Sequence, residues 1–125
     1  MIVALVAAIE IPTGLVLVFD PFLFMRLLFG IDTTGPDTAL GPLAGFALLA
    51  LAIACWPWRS AAAPAASAVR ALLAFSLLCV VYLAYRGVSG AETGVLLWPA
   101  AASHAGVAFL LLWCRLATKG IERRE

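Results

Sequence analysis

Four long apolar stretches dominate the chain, and most of the charged residues lie in the short links between them or after the last stretch. They run over about 1–19, 38–56, 69–85 and 94–114. Each approaches the roughly 20 apolar residues that a helix needs to cross a bilayer. None alternates between apolar and polar positions as the strands of a membrane barrel do. Because backbone in lipid has to satisfy its own hydrogen bonds, the pattern predicts four transmembrane helices.

A fifth, shorter helix is predicted over about 21–29, directly after the first stretch. Asp20 is a suitable N-cap, Pro21 suits the first helical position and Gly30 is a natural stop. The Asp-Pro pair disfavours the alternative, a simple prolongation of the first helix. Since the segment is too short to span, we expect it to lie in the membrane interface, with Phe and Leu side chains in lipid and Arg26 reaching the headgroups.

Short links make consecutive helices antiparallel neighbours. We therefore predict an all-α fold, a single transmembrane domain over 1–125, built as a four-helix up-down bundle with the interfacial helix after the first span. Composition agrees, because 65% of the residues are hydrophobic and 12% are charged, against about 45–50% and about 25% in soluble domains. The net charge of +1 gives no field that would attract nucleic acid.

Basic residues are divided unevenly between the two sides of the predicted membrane. One side, formed by the link between the second and third spans, the start of the third span and the C-terminal tail, holds Arg59, Arg70, Arg115, Lys119, Arg123 and Arg124. The opposite links hold only Arg26 and Arg86. Since basic residues favour the cytoplasmic side, both termini of this multi-pass chain are predicted to be cytoplasmic.

Glu10 and His104 are the ionisable groups that stand out inside the apolar stretches. Such groups usually face the interior of a bundle and pair there. We expect the two side chains to interact, directly or through water, at similar depth. If the last helix starts at Pro99, His104 moves toward the outer side and this pairing weakens.

Several interpretations of Glu10 and His104 stay open. The pair can form a polar site for a proton, a quinone headgroup or another small amphipathic ligand. It can also serve only to tie the first helix to the last, or Glu10 can lie at the interface. His104 is in addition a possible haem ligand.

Small residues mark two candidate helix-packing faces, Gly41 with Gly45 and Ala102 with Gly106, each at a spacing of four. Such faces let backbones approach closely in lipid, either within one chain or between subunits. The cysteines, Cys55, Cys79 and Cys114, have no CxxC spacing and are interpreted as small apolar residues rather than as disulfide partners or metal ligands.

The segments IPTGLVLVFDP, LLFG, GPLAGFALLALAIACW and GVLLWPAAASHAG resemble small uncharacterised bacterial membrane proteins of the DoxX-like kind. The resemblance implies a four-helix bundle in the bacterial inner membrane. DoxX itself is linked to thiosulfate–quinone oxidoreduction as a membrane subunit, which favours a quinone-facing or accessory role.

The chain shows no Ser/His/Asp set, HExxH, CxxC or glycine-rich phosphate loop. We therefore predict no catalytic residues, metal or cofactor of its own, with quinone and haem as the alternatives. The leading hypothesis is a structural or accessory subunit in the lipid bilayer, alone, as a homo-oligomer or beside a larger membrane complex. The alternatives are a redox accessory subunit that binds a quinone-like or lipid-like ligand at Glu10 and His104, and an oligomeric transporter or channel.

Overall fold

The computed structural model describes residues 2–32, 40–56, 66–89 and 93–122. These residues contain helices and no strand, which confirms the all-α prediction for the described part of the chain. The helices are α1 (Ile2–Phe19), α2 (Pro21–Phe29), α3 (Leu40–Cys55), α4 (Ala66–Val88) and α5 (Leu97–Glu122). The start of the second predicted span, most of the loop from Trp58 to Ser67, Arg59, Glu92, Arg123 and Arg124 lie outside the described residues.

The ends of α2 follow the local rules that the sequence indicated. The Asp20 side chain accepts a hydrogen bond from the backbone N–H of Leu23 at 2.9 Å, and Pro21 occupies the first turn. Gly30 ends the helix with φ 69°, in the left-handed region, and donates its N–H to Arg26 O at 3.0 Å. The axis of α2 turns 113° away from that of α1, so α2 does not prolong α1.

The last carbonyls of α2 are bonded by the turn that precedes α5. Gly94 donates its N–H to Leu28 O at 3.1 Å, and Leu96 donates its N–H to Leu27 O at 2.9 Å. The final carbonyls of a helix have no partner within the helix. This turn supplies the partners, and it holds α2 against the start of α5.

Replacing Asp20 by alanine should destabilise α2 by about 1 kcal/mol, because the backbone N–H of Leu23 then loses its acceptor. Hydrogen exchange of the α2 amides, followed by mass spectrometry in detergent, should show faster exchange in Asp20→Ala. Asp20→Asn keeps an acceptor oxygen and should exchange as the wild type does. Equal exchange in all three proteins would contradict the capping role.

Among the described residues, two helices are long and apolar enough to cross a membrane: α4, and α5 over Leu97–Ala117. The bent pair α1 and α2 also passes this test if it is counted as one span, which raises the number to three. Helix α3 is apolar but has 16 residues, so it is about 24 Å long. That is less than the roughly 30 Å of a typical hydrocarbon core.

Helices α1 and α3 cross with their backbones very close together. A Cβ atom built on Gly45 would lie 2.6 Å from Gly14 O, and one built on Gly41 would lie 2.5 Å from Pro21 Cβ. Since the later part of α1 meets the earlier part of α3, the two helices are antiparallel. Gly41 and Gly45 therefore pack within the chain, whereas Ala102 is exposed and a Cβ on Gly106 would meet nothing within 4 Å.

Buried apolar side chains form two clusters at opposite ends of the helices. The first cluster joins the starts of α1 and α4 to the end of α3 and the later part of α5, through Val3, Val6, Cys55, Leu72 and Leu111. The second cluster joins the end of α4 to the start of α5, through Leu83, Leu97 and Ala101, with Leu28 and Phe29 of α2 packed against it. It follows that α4 and α5 are antiparallel and that α1 runs parallel to α4.

Candidate polar layer

Glu10 is the buried carboxylic acid among the described residues, with 4% of its surface exposed. It lies one turn beyond Val6 of the first cluster, in the middle of α1. Its carboxyl group is close enough to the Cys79 thiol of α4 to interact with it electrostatically. Within the described part of the chain, Glu10 forms neither a hydrogen bond nor an ion pair. The α1–α4 interface therefore holds a buried acid that forms no hydrogen bond or ion pair with another described residue.

Ser76 is a second buried polar residue on the same helix as Cys79. It is 0% exposed, and its Oγ has no hydrogen-bond partner among the described residues. Positions 76 and 79 are three apart on α4 and so share a face. Both lie between Leu72 of the first cluster and Leu83 of the second. Ser76 therefore adds an unsatisfied hydroxyl at the level of Glu10.

His104 approaches the same level from α5. Its ring meets the Phe75 ring edge to face, with 5.7 Å between centroids and 81° between planes. Helix α5 begins at Leu97, so Pro99 lies in its first turn and His104 lies two turns into the helix. No hydrogen bond or ion pair joins Glu10 to His104 among the described residues. The neighbours of Glu10 and His104 on α4, Cys79 and Phe75, are one helical turn apart, and the predicted interaction, directly or through water, stays a prediction.

Glu10, Ser76, Cys79 and His104 form what we call the polar layer, between the two apolar clusters. The cysteine is a free thiol. No group of three His, Cys, Asp or Glu residues suited to a metal ion occurs in the part of the chain that the structure describes. The layer offers a carboxyl group, a hydroxyl, a thiol and an imidazole in an apolar surrounding. Such a set can hold a small polar group through hydrogen bonds, which are stronger there than in water.

Sequence reasoning selected Glu10 and His104 and missed Ser76 and Cys79. A usable signal exists, because Ser76 is the only hydroxyl-bearing aliphatic residue between Val69 and Tyr85. A serine inside a lipid-spanning stretch usually faces another helix. Whether Ser76 faces Glu10 depends on how α4 is rotated about its axis, and the sequence does not define that rotation.

Comparisons of the chain with protein-family models, with curated proteins and with solved structures return no match. The DoxX-like resemblance therefore stays a prediction that depends on the segments quoted above. What the chain does has to be inferred from its own residues and geometry.

Proposed function

We propose that this chain is a multi-pass integral membrane protein and an accessory subunit of a larger membrane complex. In this proposal α1, α3, α4 and α5 all cross the bilayer as an up-down bundle, and α2 lies in the interface. Membership of the DoxX-like group and a place in the bacterial inner membrane are part of the same proposal. The short α3 is accommodated by local thinning of the bilayer or by its flanking residues.

The observation that supports the membrane setting is the apolar outer face of all four long helices. Large hydrophobic side chains, each about half exposed or more, occur on every one of them: Leu5, Ile9, Leu43, Phe46, Leu78, Val81, Phe109 and Leu110. Soluble monomers rarely expose contiguous apolar patches of more than a few hundred Å². Hydrocarbon around the helices removes the cost of this surface.

The charges support an orientation with both termini in the cytoplasm. Arg70 and Arg115 lie near the end that holds the first cluster, where α1 begins and α5 approaches its end. Arg26 and Arg86 lie at the opposite end, and Arg26 pairs there with Asp32 at 3.5 Å. In the sequence, six basic residues lie in the link after α3, at the start of α4 and from Arg115 onward, against Arg26 and Arg86 in the opposite links. This excess favours the end that holds the first cluster as the cytoplasmic one.

The exposed small residues of α5 support the accessory role. Ala102 and Gly106 are exposed, and no atom of the described residues lies within 4 Å of a Cβ built on Gly106. In lipid such a surface allows a second helix to approach closely. We assign this surface to a transmembrane helix of the partner complex.

Purification in mild detergent from native membranes tests this assignment. The wild-type chain should retain a partner subunit in fixed stoichiometry, and Gly106→Ile should lose it. Because nothing lies within 4 Å of a Cβ at this position, the isoleucine should leave the fold of the single chain intact, which circular dichroism can verify. Leu78→Ile changes an exposed side chain on α4 and serves as the control. Equal retention by Gly106→Ile, or a wild-type chain that purifies alone, would contradict the accessory role.

A second candidate function, binding of a quinone-like or lipid-like headgroup, is favoured by the unsatisfied polar layer. Buried polar groups are almost always hydrogen-bonded, yet Ser76 Oγ has no partner among the described residues. A ligand carbonyl could accept a hydrogen bond from Ser76, and Glu10 could bond a ligand hydroxyl. His104 then borders the site through Phe75 rather than pairing with Glu10.

Ser76→Ala should stabilise the ligand-free chain by about 1 kcal/mol, because it removes a buried hydroxyl that lacks a partner. The same variant should retain less of the native quinone or lipid during purification. Thermal unfolding in detergent and mass spectrometry of extracted lipids measure the two effects. Ser103→Ala is the matched control, since that exposed hydroxyl already donates to Ala100 O at 2.8 Å. A destabilised Ser76→Ala chain with unchanged lipid content would argue against the ligand site.

A further inference from the structure

Arg86 lies in the last turn of α4, against an aromatic side chain of α2. Its guanidinium carbon is 5.4 Å from the centroid of the Phe29 ring and lies over that ring. The edge-to-face contact of Phe29 with Tyr82 has a centroid distance of 6.2 Å and an angle of 76°. Tyr82 and Arg86 are four residues apart, so they share one face of α4 and both contact the same ring.

Phe29 is itself fixed in place by the end of α2. The next residue, Gly30, closes the helix in the left-handed conformation. The two carbonyls before Phe29 accept hydrogen bonds from Gly94 and Leu96. Consequently the guanidinium group packs against a ring whose backbone is held by the end of α2 and by the turn that precedes α5. A side chain held in this way loses little further freedom when it binds a ligand.

The guanidinium group has unused hydrogen-bonding capacity. Arg86 Nε is buried and has no hydrogen-bond partner among the described residues. No carboxylate within the described ranges pairs with Arg86, whereas Arg26 at the same end pairs with Asp32 while both are well exposed. A buried charged donor without a partner is costly. This arrangement calls for an anionic acceptor from beyond the residues that the structure describes.

We propose that Arg86 binds the phosphate group of an anionic phospholipid. A guanidinium group can bond two phosphate oxygens at once, and basic sites beside membrane helices recognise lipid headgroups. The exposed rings of Tyr82, Tyr85 and Trp98 surround this end of α4, as aromatic residues do at the headgroup level of a bilayer. The acyl chains then follow the exposed apolar side chains Leu78 and Val81. This site depends on the proposed membrane setting, but not on the accessory role or on the polar layer.

Lipid-dependent thermal stability of the full chain in detergent tests the site. Phosphatidylglycerol should raise the melting temperature of the wild type, and its apparent affinity should be about tenfold lower for Arg86→Gln. Arg86→Lys keeps the charge without the paired donors and should fall between the two. Arg26→Gln is the matched comparison: Arg26 lies at the same end but already pairs with Asp32, so its loss should lower the lipid affinity less than Arg86→Gln does. Phosphatidylcholine and inorganic phosphate, each added alone, distinguish an anionic lipid from a zwitterionic lipid and from a free anion.

Three results would overturn the site: an unchanged lipid response in Arg86→Gln, an equal response to inorganic phosphate, or an equal response to phosphatidylcholine. Glu92→Gln addresses a carboxylate outside the described residues and should leave the response to phosphatidylglycerol unchanged. A large gain in lipid affinity in that variant would identify Glu92 as the ordinary partner of Arg86 and would also overturn the proposal. If the chain needs detergent but its melting temperature does not respond to phosphatidylglycerol, only this site is refuted. If the chain is soluble without detergent, the membrane setting is refuted.

Discussion

Gly94→Ala should destabilise the protein by about 3 kcal/mol, at the upper end of the cost of overpacking. A Cβ atom at this position would overlap the carbonyl oxygen of Leu27, and it would lie 2.5 Å from the carbonyl carbon of Leu27 and 2.7 Å from Arg26 O. All three are backbone atoms, so no side chain can rotate away. The turn at 94–96 would have to retreat from α2, which breaks its two hydrogen bonds to the helix.

Thermal unfolding of the purified chain in detergent measures the loss of stability, and hydrogen exchange shows which part of the chain is destabilised. In Gly94→Ala the amides of residues 94 and 96 should exchange faster than in the wild type. Thr93→Ala is the control, because Thr93 is exposed and its side chain accepts or donates no hydrogen bond within the described residues. A Gly94→Ala protein as stable as Thr93→Ala would show that the contact between α2 and this turn is looser than the structure has it.

Gly45→Ala should cost about 2 kcal/mol or more, by separating α1 from α3. A Cβ atom on Gly45 would lie 2.6 Å from Gly14 O and 2.9 Å from the backbone nitrogen of Val18. The Val18 side chain, 2.7 Å away, can change its rotamer, but the backbone of α1 cannot yield without moving the helix. Titration of the detergent-solubilised protein with a denaturing detergent, monitored by helical circular dichroism, measures the shift.

Gly106→Ala provides the comparison for Gly45→Ala, since both changes place an alanine inside a helix. Alanine favours helices over glycine by about 1 kcal/mol, and nothing lies within 4 Å of a Cβ at Gly106. The purified single chain should therefore be unchanged or slightly stabilised by Gly106→Ala. If both variants lost stability equally, the close crossing of α1 and α3 would not be the cause.

The helices were predictable from the sequence because their signals are local. An apolar stretch reveals a helix through its length, and Asp20, Pro21 and Gly30 define the ends of α2 through their own backbone preferences. The start of α5 was less well defined, since residues 94–96 are apolar or small yet form the turn that binds α2. Hydrophobicity does not distinguish such a turn from the first turn of a helix.

The polar layer was only partly predictable, because a helix that is apolar all round does not reveal which side faces its neighbours. Depth along the chain sufficed to select Glu10 and His104. Their relative direction depends on helix rotation: in the structure Glu10 lies within electrostatic range of the Cys79 thiol, and the His104 ring meets the Phe75 ring. Gly45 could be predicted as a packing residue from its small size alone. Its partner Gly14 could not, because the sequence indicated no small-residue packing face on α1.

The bonds between the end of α2 and the turn at 94–96 also constrain the order of assembly. The donors of these bonds belong to the last third of the chain, so they emerge from the ribosome long after α2 has been made. Until then the carbonyls of Leu27 and Leu28 lack these partners, whereas that of Arg26 already accepts a hydrogen bond from Gly30. These two bonds to the short helix can therefore form only after residues 94–96 have been made, which places the docking of α2 against this turn late in the assembly of the chain.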